Sequence, residues 1–323
     1  MSGKIEKLGI TVVYLVSERN GPLLDIHLSQ IEKYTDVPYT IYGSAERLLP
    51  QFRSKLEQNP RVKICKCETF DISSWTDKDT IALQSRNEQT FYLEQLIKEA
   101  IEDNVTHVAI LHVDSFPIKR GWAQKMAARL SEKCVLAAII RDQNKDRKPL
   151  TACILFHRDF YLKYNPRLLL TEQKRSSPEY QRYRTEVPHC TDCGVGYGFK
   201  IFIEGLIWYQ LTRSNRGGEH PLFAGVYDDL VFHLSAAAYK DSTGSVGFTP
   251  RDYPKSYVRT IIKKTMETLL GERVRRKITD HIPLKVRRPD RYQEYLAWEQ
   301  ERQRLLEDPD SYIEYLRTGK SRA

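Results

Sequence analysis

Short, unbroken apolar runs alternate with longer amphipathic stretches through the first 140 residues of the chain. Leu8 to Val16 reads LGITVVYLV, continuous and rich in β-branched side chains. A strand that is apolar on both faces must be covered on both faces, which is the situation inside a parallel sheet. Pro22 to Tyr34 follows with helical spacing of Leu23, Leu24, Ile26, Leu28 and Ile31. Val37 to Tyr42 reads as a second strand, Ala45 to Glu57 as a helix and Val62 to Cys65 as a short third strand. Ile81 to Glu102 is a long helix, His107 to Val113 a fourth strand, Arg120 to Leu130 a helix and Cys134 to Ile140 a fifth strand. This repetition predicts an α/β fold, a mostly parallel sheet flanked by helices. Sites in such sheets lie beyond the carboxyl ends of the strands.

The second half reads differently. Thr151 to Phe156 is a strand, and polar Arg167 to Thr185 is expected to be a mobile loop. Gly194 to Leu211 is expected to be one helix, and Arg213 to His220 a Gly-rich loop. Tyr227 to Ala238 follows as strand or helix, and Lys255 to Ala323 is mostly helical and basic. The expected division is a catalytic-sized domain over 1–250 and a basic helical C-terminal extension over 251–323.

Composition narrows the class. A chain of 323 residues with 41% hydrophobic and 29% charged residues builds a sizeable core. Collagen, coiled coil and wholesale disorder are excluded. No stretch reaches the ~18 apolar residues of a spanning helix. The N-terminus enters its first strand without an apolar leader, so a cytoplasmic location is expected. The net charge of +9, from 51 basic and 42 acidic residues, favours an anionic partner. Two cysteine pairs, Cys65 with Cys67 and Cys190 with Cys193, allow a zinc site or are unrelated thiols.

The segment Val108 to Trp122, VAILHVDSFPIKRGW, carries the chemistry. A buried apolar strand ends abruptly in His112, Asp114 and Ser115. A carboxylate at a strand's carboxyl end is costly unless it binds something. His112 and Asp114, two residues apart, project to the same side of an extended chain and can share one cation. Asp114 can equally cap the turn or helix that follows.

This segment resembles the metal-binding turn of GT-A nucleotide-sugar glycosyltransferases, in which a strand ends in Asp-x-Asp. Here it reads His112-Val113-Asp114, with histidine in place of the first aspartate. Other elements follow the same order over residues 8 to 240: Val16-Ser17-Glu18-Arg19 after the first strand, Arg86 at the start of the long helix, Thr191-Asp192-Cys193-Gly194, and Asp228 to His233. The resemblance implies a nucleotide-sugar half over 1–140 and an acceptor half over 141–250. It implies Asp114, His112 and His233 as ligands of Mn²⁺ or Mg²⁺. It implies donor contacts from Val16, Ser17, Arg19, Tyr42, Arg86, Val113, Ser115 and Arg216, and Asp192 as general base with Asp228 and Asp229 in reserve. The divalent cation would neutralise the diphosphate leaving group.

Each assignment has a plainer counterpart. Arg86 is equally a solvated helix charge, His233 a core histidine and Asp192 a helix N-cap. Arg213 and Arg216 either close a loop over the donor, with Gly217 and Gly218 as hinges, or decorate a surface. Residues 257–278 form a basic amphipathic pattern that either docks on an anionic membrane and presents a lipid-linked acceptor or packs on the domain. The tail beyond Arg291 is a candidate for self-association into a homo-oligomer. The leading expectation is a metal-assisted transfer of a sugar to a glycan or other hydroxyl acceptor. The alternatives are a catalytically silent glycan-binding relative and a basic nucleic-acid-binding protein. No nucleic-acid partner is expected, because no nucleic-acid module is present.

Overall fold

The computed structural model describes residues 4–14, 21–45, 48–70, 84–141, 146–188, 193–218, 220–235 and 289–320, with the backbone alone for 84–87 and 289–292. The chain divides into two compact units, one of residues 1–235 with 304–323 and the other of 236–303. The first unit is built on a seven-stranded sheet. Its strands are β1 (Leu8–Val13), β2 (Tyr39–Ser44), β3 (Val62–Ile64), β4 (His107–Leu111), β6 (Cys134–Arg141), β7 (Asp146–His157) and β8 (Ile207–Leu211), in the order β3-β2-β1-β4-β7-β6-β8. A small antiparallel sheet joins β5 (Ser115–Pro117), β10 (Val231–His233) and β9 (Gly225–Tyr227).

The apolar runs explain the centre of the sheet. β1 and β4 are buried at every position and pair in parallel, Leu8 opposite His107 through Thr11 opposite Ile110. Alternate residues feed two cores, because successive side chains leave opposite faces. Ala109 and Leu111 pack on the face covered by α1 (Gly21–Tyr34), α2 (Pro50–Gln58) and α4 (Trp122–Ala127). Val108 and Ile110 pack on the face covered by α3 (Gln84–Glu102), α5 (Arg158–Tyr164) and α8 (Val195–Ile203).

The sheet is mostly parallel, as expected, with β7 running antiparallel to both β4 and β6. Three expectations are corrected. Residues 167–185 hold two short helices, α6 (Glu172–Arg175) and α7 (Pro178–Glu186). Thr171 and Ser177 cap them through hydroxyls that accept from Lys174 N and Tyr180 N. Tyr180 and Tyr183 are buried against Val195 and Phe199, so the polar composition hides a small apolar seam. The helix expected over 194–211 stops at Ile203. Gly205, at φ 62°, turns the chain into β8. Residues 227–238 open with a hairpin turn, not one element: Leu230 N donates to Tyr227 O across Asp228 and Asp229, both at positive φ, joining β9 to β10.

The C-terminal helices are α9 (Pro289–Glu307) and α10 (Pro309–Thr318). α10 belongs to the first unit, and its Asp310 pairs with Lys33 of α1 at 2.7 Å. Residues 257–278 lie outside the described residues. Among the described residues no helix is long and apolar enough to cross a membrane.

Candidate active site

β1, β4 and β6 run in one direction, so their carboxyl ends share an edge with the start of β7. Asp114 lies just past the end of β4 and is 3% exposed. The next helix, α4, starts at Trp122 behind Gly121, so Asp114 does not cap it. The turn is fixed by Ser115 N donating to His112 O and by Leu234 N donating to Asp114 O, both at 2.9 Å. β5 then pairs with β10, placing Ser115 opposite His233. That antiparallel register carries His233, far along the chain, back to the strand end that holds Asp114.

The three side chains converge. Nδ1 of His112 lies 4.0 Å from one Asp114 oxygen, and Nε2 of His233 lies 3.7 Å from the other. The outer nitrogens are each held by a hydroxyl. His112 Nε2 is 3.1 Å from Thr151 Oγ1, and His233 Nδ1 is 3.2 Å from Ser235 Oγ. Such outer contacts fix ring orientation and tautomer, leaving the inner nitrogens aimed at the carboxylate. Burial holds the His233 imidazole well below its ordinary pKa, and the charges of His112, Arg141 and Arg213 push the same way. A neutral imidazole is the form that ligates a metal. One ligand atom from each residue falls within a common 4.8 Å. Bonds of about 2.1 Å to one ion keep two ligand atoms within ~4.2 Å, a separation that small side-chain rotations would reach. Two nitrogens and a carboxylate fit a divalent transition metal.

Two supports lie behind the triad. His27 of α1, wholly buried, donates from Nδ1 to Ser115 O at 3.1 Å. The carbonyl can only accept, so Nδ1 bears the proton. Burial pushes the ring down to about 3, with His112 contributing and the Ser115 bond opposing. At the edge, Arg141 and Lys148, 8% and 1% exposed, share the Asp146 Oδ2 at 3.7 and 3.4 Å. Neither group was expected from the sequence, and Thr151 and Ser235 carried no local signal either.

Other expected residues fall elsewhere. Tyr42 is buried beneath α3, and its hydroxyl donates to Asp103 at the amino end of β4, away from the site. Val113 packs in the core, and the Ser115 side chain is buried in the small sheet. Arg213 spends its guanidinium on the carbonyls of His220, Pro221 and Phe223. Arg216 pairs with Asp229 at 3.2 Å and donates to Arg317 O of α10. Its amide and that of Gly217 both donate to Leu316 O, so this loop is tied down instead of being free to close. Gly217 is required by that contact, since a Cβ there would stand 2.4 Å from Tyr315 O. Asp228 accepts from Tyr209 and Thr212, and the Asp229 carboxylate from the Ser214 hydroxyl, which occupies both reserve bases. Cys65 is buried, its thiol pushed up to about 12 chiefly by burial, which disfavours the thiolate that zinc requires. Val16, Ser17, Arg19, Asp192 and Cys190 lie outside the described residues, and Arg86 is placed only by its backbone in the first turn of α3.

No protein-family model and no curated protein matches the sequence. Solved structures that overlay on it include glycosyltransferases. A mannosyltransferase from Pyrobaculum calidifontis, solved with GDP-Man and Mn²⁺, is 14% identical with a TM-score of 0.34, covering 50% of this chain. The chain spans only 46% of that mannosyltransferase. Mouse xyloside xylosyltransferase 1 is 11% identical with a TM-score of 0.37, covering 64% of this chain and 85% of its own. A galactosyltransferase solved with donor and acceptor sugar analogs is 10% identical with a TM-score of 0.36, covering 62% and 72%. These values carry no assignment of activity.

Proposed function

We propose that the chain is a metal-assisted glycosyltransferase of the GT-A type, moving a sugar from a nucleoside diphosphate to a hydroxyl of a glycan or lipid-linked acceptor. The observation that carries this reading is the convergence of His112, Asp114 and His233 at the carboxyl ends of the parallel strands, each imidazole fixed from behind by a hydroxyl. The three residues would hold the ion, and with two nitrogens among the ligands Mn²⁺ suits them better than Mg²⁺. When bound, the ion supplies positive charge to a diphosphate leaving group.

The chain's own residues do the rest. Burial keeps His233 neutral and available as a ligand. Thr151 and Ser235 hold both rings in their ligating orientation, and His27 holds the turn through the Ser115 carbonyl. Arg141, inside the domain, and Arg213 add fixed positive potential near His233, where negative charge on a departing diphosphate develops. Asp192, just ahead of the Gly194 cap of α8, is the proposed base that takes the acceptor proton if the transfer inverts configuration.

The test is release of nucleoside diphosphate from a panel of nucleotide sugars with Mn²⁺, with and without chelator. Wild type is expected to turn over one donor class. Asp114→Asn is expected to fall by on the order of a hundredfold. Turnover that survives both chelator and Asp114→Asn overturns the metal role. Nucleotide-sugar binding without turnover points to a silent glycan-binding relative.

A further inference from the structure

A cleft of about 660 Å³ opens beside α4, β8 and the β9–β10 turn, outside the metal triad. Its lining includes Lys119, Lys125, Arg129, Tyr209, Ser214 and Leu230. Asp228 and Asp229 also border it, but the Asp228 carboxylate is taken by Tyr209 and Thr212, and the Asp229 carboxylate by the Ser214 hydroxyl and Arg216. Lys119, Lys125 and Arg129 make no ion pair among the described residues. Arg129 instead lies over the Tyr209 ring, 4.9 Å from its centre. Three cations therefore face two carboxylates, one already matched by Arg216, and the cleft is net positive. Crowded like charges are relieved by an anion that takes several donors at once.

The cleft is joined to the triad by one piece of backbone. β5 leaves the triad at Ser115, Ile118 N donates to Leu230 O, and Lys119 follows at the cleft. At about 3.3 Å per residue, Lys119 lies at most ~13 Å along the chain from Ser115. We propose that this cleft is an anion subsite for the acceptor, holding a carboxylate or phosphate on a substrate that extends away from the triad. The word acceptor rests on the transferase reading; the binding of an anionic chain does not. Nucleic acid is a poorer fit, since it calls for aromatic faces open to stacking, and Arg129 covers a face of Tyr209.

The experiment is calorimetric titration of the full chain and of the triple variant Lys119→Gln, Lys125→Gln, Arg129→Gln. The probes are a tetragalacturonate, neutral maltotetraose, tripolyphosphate and a short single-stranded RNA. Wild type is expected to bind tetragalacturonate or tripolyphosphate in a salt-sensitive way and to ignore maltotetraose. The triple variant is expected to lose on the order of tenfold in affinity or more. It should keep the wild-type melting temperature and its response to Mn²⁺, since Lys125 and Arg129 are exposed, Lys119 is half-buried, and none of the three makes an ion pair among the described residues. Preference for the uronate assigns a carboxylate and preference for tripolyphosphate a phosphate. Absence of anion binding, equal binding by the variant, or tighter binding of RNA overturns the proposal. Anion binding by a wild type that shows no response to Mn²⁺ or nucleotide sugar keeps the subsite and removes the transferase reading.

Discussion

Asp114→Asn separates a metal ligand from a structural carboxylate. The substitution keeps shape and removes one negative charge from a side chain that is 4% exposed and faces two imidazole nitrogens at 3.7 and 4.0 Å. Without metal, a neutral amide costs less to bury than a carboxylate, so the variant should melt at or above the wild-type temperature. With Mn²⁺ at a hundred times its Kd, wild type gains about 2.7 kcal/mol. At 2–4 °C per kcal/mol for a domain of this size, that is a rise of roughly 5–10 °C. Loss of the only anionic ligand of the triad should weaken the ion by at least about a hundredfold. The same Mn²⁺ concentration then equals the variant's Kd and adds only ~0.4 kcal/mol, about 1 °C. Differential scanning fluorimetry of both proteins with and without Mn²⁺ reads all four values. A variant that melts several degrees lower without metal and retains the full Mn²⁺ shift refutes the reasoning, because Asp114 would then be a structural acid.

His27→Leu leaves the buried Ser115 carbonyl without its donor, which should cost about 1–3 kcal/mol and weaken the Mn²⁺ shift. His27→Asn, whose amide can replace Nδ1–H, should restore most of both, and equal behaviour of the two variants would remove the role. His107 is fully buried and pushed down to about 4 by burial, with His157 adding to the effect and Asp159 opposing it. Its folded form resists protonation. The stability it permits is therefore complete above the unfolded pKa of ~6.5 and lost as pH falls towards 4, by at most about 3 kcal/mol. Urea unfolding at pH 7 and pH 5 should show the loss, and His107→Phe should flatten it. Gly217→Ala drives a methyl against the Tyr315 carbonyl and should cost roughly 1–3 kcal/mol, read as a lower melting temperature with faster proteolysis of α10.

The legible parts of the fold are those whose physics is local. LGITVV and HVAIL have no polar face, so burial on both sides of a sheet was their only stable fate. Asp114 was visible because a carboxylate closing such a run needs a reason. Strand direction is not local: the Thr151 to Phe156 part of β7 reads as apolar as β6, and only its antiparallel partners define it. The helices at 172–186 did leave a signal, Thr171 and Ser177-Pro178-Glu179 at N-terminal positions, which the polar composition outweighed. Gly217 and Gly218 read as hinges, yet they admit a helix that begins at Pro309, a contact no window of sequence contains. Thr151 and Ser235 are ordinary strand and turn residues until the sheet sets them behind the two histidines.

In the proposed transferase, His112 stands where the turn that this segment resembles has its first aspartate, and the difference is one of charge. With two carboxylates and one neutral imidazole, a divalent ion is balanced to zero. With Asp114 as the only anion among the three, a loaded triad would carry +1, and Arg141 and Arg213 stand close enough to shift His233 in the same sense. A site of that sign attracts a diphosphate more strongly in the ground state as well as at bond breaking, and uniform binding of that kind lowers KM without raising kcat. It would also hold its metal through fewer charges, so affinity for the ion should be lower. His112→Asp is the direct comparison. In the proposed transferase it should tighten Mn²⁺, admit Mg²⁺ more readily, and raise KM for the nucleotide sugar. A variant that loses Mn²⁺ altogether would mean that Thr151 holds His112 in a position the shorter side chain cannot reach, and that the imidazole is required for reach as well as charge.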